Sequence, residues 1–158
     1  MHSLSALHIS ESLQQIIGKP AWGLHRSHGS MFLFDIGDPV PQNEKKIHGE
    51  WCLLFESCEW RFEMAGTEVI TSSNTTEAIE AQFQQMALGN ITDANYSETS
   101  AQLRIAFASG IVLQASPEPS EDDPESTEWI FFIPDQLAWG KTKSSLSIGS
   151  IHAPSTPN

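Results

Sequence analysis

The sequence predicts an α+β domain built on a mainly antiparallel, strongly twisted sheet or partly open barrel of about eight short strands. A helix near 75–88 and a short N-terminal helix accompany it. Three observations carry this reading. Apolar and polar residues alternate with period two at Trp60–Met64 and Leu103–Phe107, the pattern of strands with one wet face. The segment from Asn74 to Gly89 is capped at both ends and keeps a helical spacing of apolar residues. Turn residues recur every few positions elsewhere, so consecutive strands have only short connections.

The first helical signal runs from Ser10 to Ile17. Leu13, Ile16 and Ile17 fall at i, i+3 and i+4, Ser10 is the candidate N-cap, and Gly18 with Pro20 ends the segment. The apolar stripe reaches back toward Leu4 and Leu7 without a clear cap. Ser30 to Ile36 reads as strand, stopped by Asp38-Pro39-Val40-Pro41 because proline cannot donate to a ladder. Glu50–Glu56 and Glu59–Met64 follow, and the Ser57-Cys58 link suits a hairpin or a bulged continuous strand. Glu68–Thr71 adds a short strand.

In the 75–88 helix, Asn74 is the expected N-cap, with Glu77 three residues on beside the positive helix end. Ile79, Phe83 and Met86 form the stripe, widened by Ala78, Ala87 and Leu88, and Gly89 is the expected stop. Three strands come next: Ile91–Tyr96, Ala101–Phe107 and Ile111–Ala115, the last two joined at Ser109-Gly110. Trp129–Ile133 is a short apolar strand closed by Pro134, and a final strand lies near Ser145–Ile148. This gives one domain over residues 1–149, followed by a Ser/Pro-rich tail at 150–158. The expected core is Phe32, Phe34, Trp51, Leu53, Trp60, Phe62, Phe83, Leu103, Ile105, Phe107, Ile111 and Trp129.

Charge narrows the function classes. The 158 residues carry a net charge of -12 and are 39% apolar. That is too apolar for a disordered chain, and its charge would repel nucleic acid and anionic membrane. No apolar run approaches the roughly 18–20 residues of a bilayer span, and the N-terminus lacks a secretory pattern. Cys52 and Cys58 are too few for a secreted disulfide framework and read as free, buried thiols. A cytoplasmic location is the expectation.

No catalytic or cofactor set emerges. His25-x-x-His28, with His48 and Cys52 downstream, offers zinc-type donors. Only two of them are close in sequence, so no bound zinc is expected. Cys52 sits in an apolar strand, where a thiolate is disfavoured. Glu50 with Glu56, and Glu59 with Glu63, have the even spacing of a wet strand face. No phosphate-binding glycine loop is present.

The compositional anomaly is the segment before Trp129. Glu118, Glu121, Asp122, Asp123, Glu125 and Glu128 occur there without one base, among three prolines. A solvated loop is the plain reading. The sharper one is a docking element for a basic protein, because clustered like charge is relieved by an opposite surface and speeds encounter. The oxygens lack the order and glycine of a calcium-binding EF-hand loop.

The order of pieces also carries a resemblance. It comprises Gly29-Ser30 before a strand ending Asp35-Ile36-Gly37, then Gly49-Glu50-Trp51-x-Leu53, Trp60-Arg61 and Ser72-Ser73-Asn74. Leu103 to Phe107, Gly110-Ile111-x-Leu113 and Glu128-Trp129 to Pro134 complete it. The arrangement resembles small bacterial proteins similar to the immunity proteins of polymorphic-toxin systems. That resemblance implies a non-enzymatic inhibitor and supplies no catalytic residue. The expectation is an acidic, cytoplasmic binding protein that inhibits a basic toxin or nuclease, by occlusion or as a mimic of DNA. Its partner-binding residues are expected to be Glu118, Glu121, Asp122, Asp123 and Glu125. The alternative is a small-molecule-binding module with a ligand held against the sheet by Trp51, Trp60 or Trp129.

Overall fold

A computed structural model describes residues 4–41, 47–119 and 122–150. The chain runs α1 (Leu4–Gln14), β1 (Pro20–Arg26), β2 (Phe32–Pro41), β3 (Ile47–Phe55), β4 (Cys58–Met64), β5 (Thr67–Thr71) and α2 (Thr76–Gln85). It continues with β6 (Gly89–Ser97), β7 (Gln102–Phe107), β8 (Ile111–Pro117), β9 (Thr127–Ile133), β10 (Leu137–Thr142) and β11 (Leu146–Ser150). The class is α+β, as the sequence predicts. The antiparallel sheet has 11 strands rather than about eight and is not closed, in the order β11-β10-β9-β3-β2-β1-β6-β7-β8-β4-β5.

The sheet curls over its own inner face. β2 and β4 are far apart in the strand order, yet Phe32 on β2 meets Trp60 at 4.7 Å and Phe62 at 5.5 Å on β4. Phe55 stacks on Phe32 at 4.6 Å from the adjacent strand, and Phe34 reaches Phe107 on β7. Every residue of the expected core is buried.

Two halves meet at the β1–β6 joint. Only Pro20↔Asn90 and Ala21↔Gly89 pair there, extended by Gly18 N–H to Ile91 O at 2.7 Å. Each helix ties this joint to one sheet edge. α1 packs on β6 and β11, and Trp139 Nε1–H on β10 donates to Ser12 Oγ. α2 packs on β1 and β5, with Arg26 paired to Glu80 at 2.8 Å.

Several boundaries differ from expectation for local reasons. α1 starts at Leu4, so Ser10 is interior. Its buried stripe is Ala6, Ile9 and Leu13, continued by Ile16 in the following turn, while Leu7 faces out. Thr75, not Asn74, caps α2 by accepting from Ala78 N–H, because Asn74 Oδ1 is engaged by Thr71 N–H. α2 ends at Gln85, and Gly89 opens β6.

β2 continues through Pro39 and Pro41 because β1 stops pairing at Ile36. Beyond it β2 has a neighbour on one side only, and a missing N–H costs no bond. The Glu56-Ser57 link is neither a hairpin nor a bulge. It carries the chain from β3, between β2 and β9, to β4, between β8 and β5. Ser150 belongs to β11 rather than to a tail, and residues 151–158 lie outside the described residues.

Phe83 touches the rings of Phe32, Trp60 and Phe62 and is 5% exposed. Phe83→Ala is expected to destabilise the fold by about 3–5 kcal/mol in chemical denaturation. A change below about 1 kcal/mol would mean that α2 does not clasp the curl.

Candidate functional site

The inner face is spent on packing, so the candidate site is built on the outer face of β2, β3, β9, β10 and β11. Period two fixes what stands there. Leu33, Leu54, Ile130, Gly140 and Ser147 form one cross-strand row. Asp35, Cys52, Phe132, Ala138 and Gly149 form the next. Leu33, Leu54, Ile130 and Phe132 are half-buried, on a face that neither helix contacts. Gly140, Ala138 and Gly149 offer little bulk, leaving a shallow trough of about 270 Å³ beside Ile130.

The acidic segment borders this trough. Ser144 N–H donates to Pro124 O at 3.1 Å, Ser144 Oγ donates to Glu125 Oε2 at 3.2 Å, and Lys143 Nζ donates to Glu118 O at 2.9 Å. The segment is thereby held to the β10–β11 turn, where Thr142 and Ser145 close the trough. Asp122, Asp123 and Glu125 are exposed, and Glu118 is half-buried. Glu121 lies outside the described residues.

Glu128, grouped in sequence with these acids, is instead 2% exposed. The register slips between Lys141 and Thr142, so Glu128 and Trp129 stand together opposite Lys141. Such a bulge re-aims a side chain that would otherwise face out. Glu128 Oε2 lies 3.3 Å from Lys141 Nζ, itself buried and also donating to Thr142 O. Burial raises the Glu128 pKa, and Lys141 and then Lys143 oppose the rise. Tyr96, edge-on to Trp129, is pushed up to about 12 by burial and by Glu128.

A second polar group sits in the outer face. Asp35 and Cys52 are direct cross-strand partners and both are buried. Gly49 N–H donates to Asp35 Oδ1 at 2.9 Å, and His48 Nδ1 stands 3.2 Å from the same oxygen. A glycine is required at 49, because a Cβ would lie 2.5 Å from Ile36 O. Gly23, at φ +70, leaves room on the far side, where a Cβ would lie 3.0 Å from Asp35 Oδ2. The Cys52 thiol is pushed up to about 12 by burial and by Asp35, so it is held protonated and is a poor nucleophile.

Of the zinc-type donors read from sequence, the fold unites His48 with Cys52. His25 on β1 and His28 in the turn after it are exposed and take no part in this group. His48 lies in β3, not in a loop. Asp35 was missed because its place opposite Cys52 depends on strand register. Trp51, Trp60 and Trp129 are all buried. A separate depression of about 250 Å³ on β4 and β8 is lined mainly by polar residues such as Glu59, Arg61 and Gln114.

No helix among the described residues is long and apolar enough to cross a membrane. Compared with family models, curated proteins and solved structures, the chain has no significant match to any. The resemblance to immunity proteins therefore rests on the residue pattern alone.

Lys141→Met strands the Glu128 carboxylate in the interior and is expected to cost about 3–5 kcal/mol at neutral pH. The sign with pH follows from the raised pKa. A carboxyl that holds its proton more tightly when folded loses stability as pH rises through the window above the ordinary carboxylate range. The deficit of the variant should therefore shrink as pH falls through that window, since protonated Glu128 carries no charge. Urea titrations of both proteins across this range check it, and a pH-independent deficit would assign the loss to packing.

Proposed function

We propose that the protein is a non-enzymatic acidic binding protein that inhibits a basic protein by covering it. One observation carries this reading: exposed carboxylates fixed along the edge of a half-buried apolar sheet face that no helix covers. Interfaces combine these two parts. Apolar residues at the centre supply binding energy, and charge at the rim steers encounter and excludes partners of like sign. The Leu33, Leu54 and Ile130 row with the trough is the candidate centre. Asp122, Asp123 and Glu125 are the candidate rim, with Glu118 and Glu121 in the same segment. The trough of small residues suits a protruding side chain from the partner. A basic toxin or nuclease has the matching charge.

Purification of the full chain from its native cells, then reconstitution from purified components, tests the proposal. The expected result is a stoichiometric basic protein whose activity falls on addition of this chain. A retained small molecule without a protein would favour a ligand-binding module instead. With the partner in hand, replacing Glu118, Glu121, Asp122, Asp123 and Glu125 by Ser or Asn should slow association and flatten its salt dependence. Ile130→Ser should act mainly on dissociation, weakening the complex by about 2 kcal/mol. Association unchanged in the five-fold variant would reduce the segment to a solvated connection.

A further inference from the structure

Among the described residues two carboxylates are buried, and they are compensated differently. Glu128 has the Lys141 ammonium beside it. Asp35 is 4% exposed, and among the described residues neither lysine nor arginine pairs with it. Its neighbours are a backbone N–H, an imidazole and a thiol. Without a lysine or arginine, the cost of burying this carboxylate is offset by the Gly49 N–H and by His48, which adds a positive charge only when protonated. The Asp35, His48 and Cys52 side chains stand beside the apolar row of Leu33, Leu54 and Ile130.

We propose that Asp35, His48 and Cys52 bind one zinc-class divalent ion, leaving a fourth position open to water or to a donor from a partner. The donors are a carboxylate oxygen, an imidazole nitrogen and a sulfur, all within 4.8 Å of one another. That mixed set suits a borderline-soft ion such as zinc and fits calcium or magnesium poorly. Zinc bonds to nitrogen and oxygen of about 2.0–2.1 Å make a tetrahedral N···O edge of about 3.3–3.4 Å. His48 Nδ1 and Asp35 Oδ1 already stand at 3.2 Å.

The surroundings have the form of a supporting shell. Gly49 N–H holds the ligating oxygen, as outer hydrogen bonds do at metal sites. Gly23 leaves room beside Asp35 Oδ2, and Gly49 lets β3 close on the Ile36 backbone next to it. The His48 side chain is 41% exposed and gives the ion a way in. On binding, Cys52 S–H gives its proton to solvent and a sulfur–metal bond forms. Carboxylate and thiolate then balance the two positive charges. The sequence argued against zinc because its donors were scattered along the chain, but strand register gathers two of them, His48 and Cys52, with Asp35.

The test is anaerobic titration of the chelator-treated full chain with Co²⁺, followed by displacement with Zn²⁺. The expected result is a sulfur-to-cobalt charge-transfer band saturating at one ion per chain and erased by zinc. Cys52→Ser should abolish the band, whereas Cys58→Ser, which changes the other buried thiol, should keep it. His48→Ala alters a partly exposed side chain, so the fold should persist, which circular dichroism checks. Losing a direct ligand should weaken binding by about 100-fold or more, beyond the effect of losing a supporting residue. No band with excess Co²⁺, a band that survives Cys52→Ser, or unchanged affinity in folded His48→Ala would each overturn the proposal. These readouts need no protein partner, so they stand or fall separately from inhibition.

Discussion

An antiparallel sheet of 11 strands has more accumulated twist than an open sheet commonly holds. Twist accumulates from strand to strand, and beyond about ten strands a twisted sheet curls, splits or flattens. Here it curls, and the Phe32 cluster is what the curl closes on. That packing brings together strands from opposite halves, with Phe83 of α2 wedged among them. Direct strand pairing between the halves is limited to two ladder pairs between β1 and β6, so this packing and the two helices carry the rest of the junction. Both helices serve the curl, since each spans from the joint to an edge. Among the described residues neither helix is left to cover the outer face of the first half.

The two outer faces then diverge in chemistry. On the second half, Arg61 pairs with Glu63, and Gln114 bonds to Glu63, so that surface is a polar ladder that satisfies itself. On the first half the outward row across the seam is Leu33, Leu54 and Ile130, giving way to Gly140 and Ser147 toward β11. Contiguous apolar surface of this kind marks an interaction face more often than an idle one. The acidic segment joins the halves as the β8–β9 connection and is fastened beside the apolar half. Charge and apolar area are thus adjacent through topology rather than through sequence proximity.

Much of the core could be read from the sequence, because alternation and helical spacing are local signals. α2 shows this well: Ile79 and Phe83 are its buried residues, as their spacing implies. β1 and β10 could not be read. Both contain Ala-Trp-Gly, and a glycine weakens a local strand signal, although here Gly23 sits at a bulge and Gly140 within a ladder. Glu128 looked like one more acid of the loop because a bulge, which leaves no local signature, turns it inward. The Asp35, His48 and Cys52 group was invisible for a related reason. Each residue has a plain local context, and only the β2–β3 register makes them neighbours.

The chain order of the strands has a consequence for when the outer face comes into being. β4 to β8 with α2 form a continuous stretch of chain, whose first and last strands pair with each other. The other half is split, with β1 to β3 before that stretch and β9 to β11 after it. Its seam is β3 against β9, where Leu54 meets Ile130. Joining these strands closes the longest loop in the sheet. The apolar row runs across this seam. Its two sides come from stretches of chain on either side of the β4–β8 unit, so the face exists as one surface only where β3 and β9 are paired.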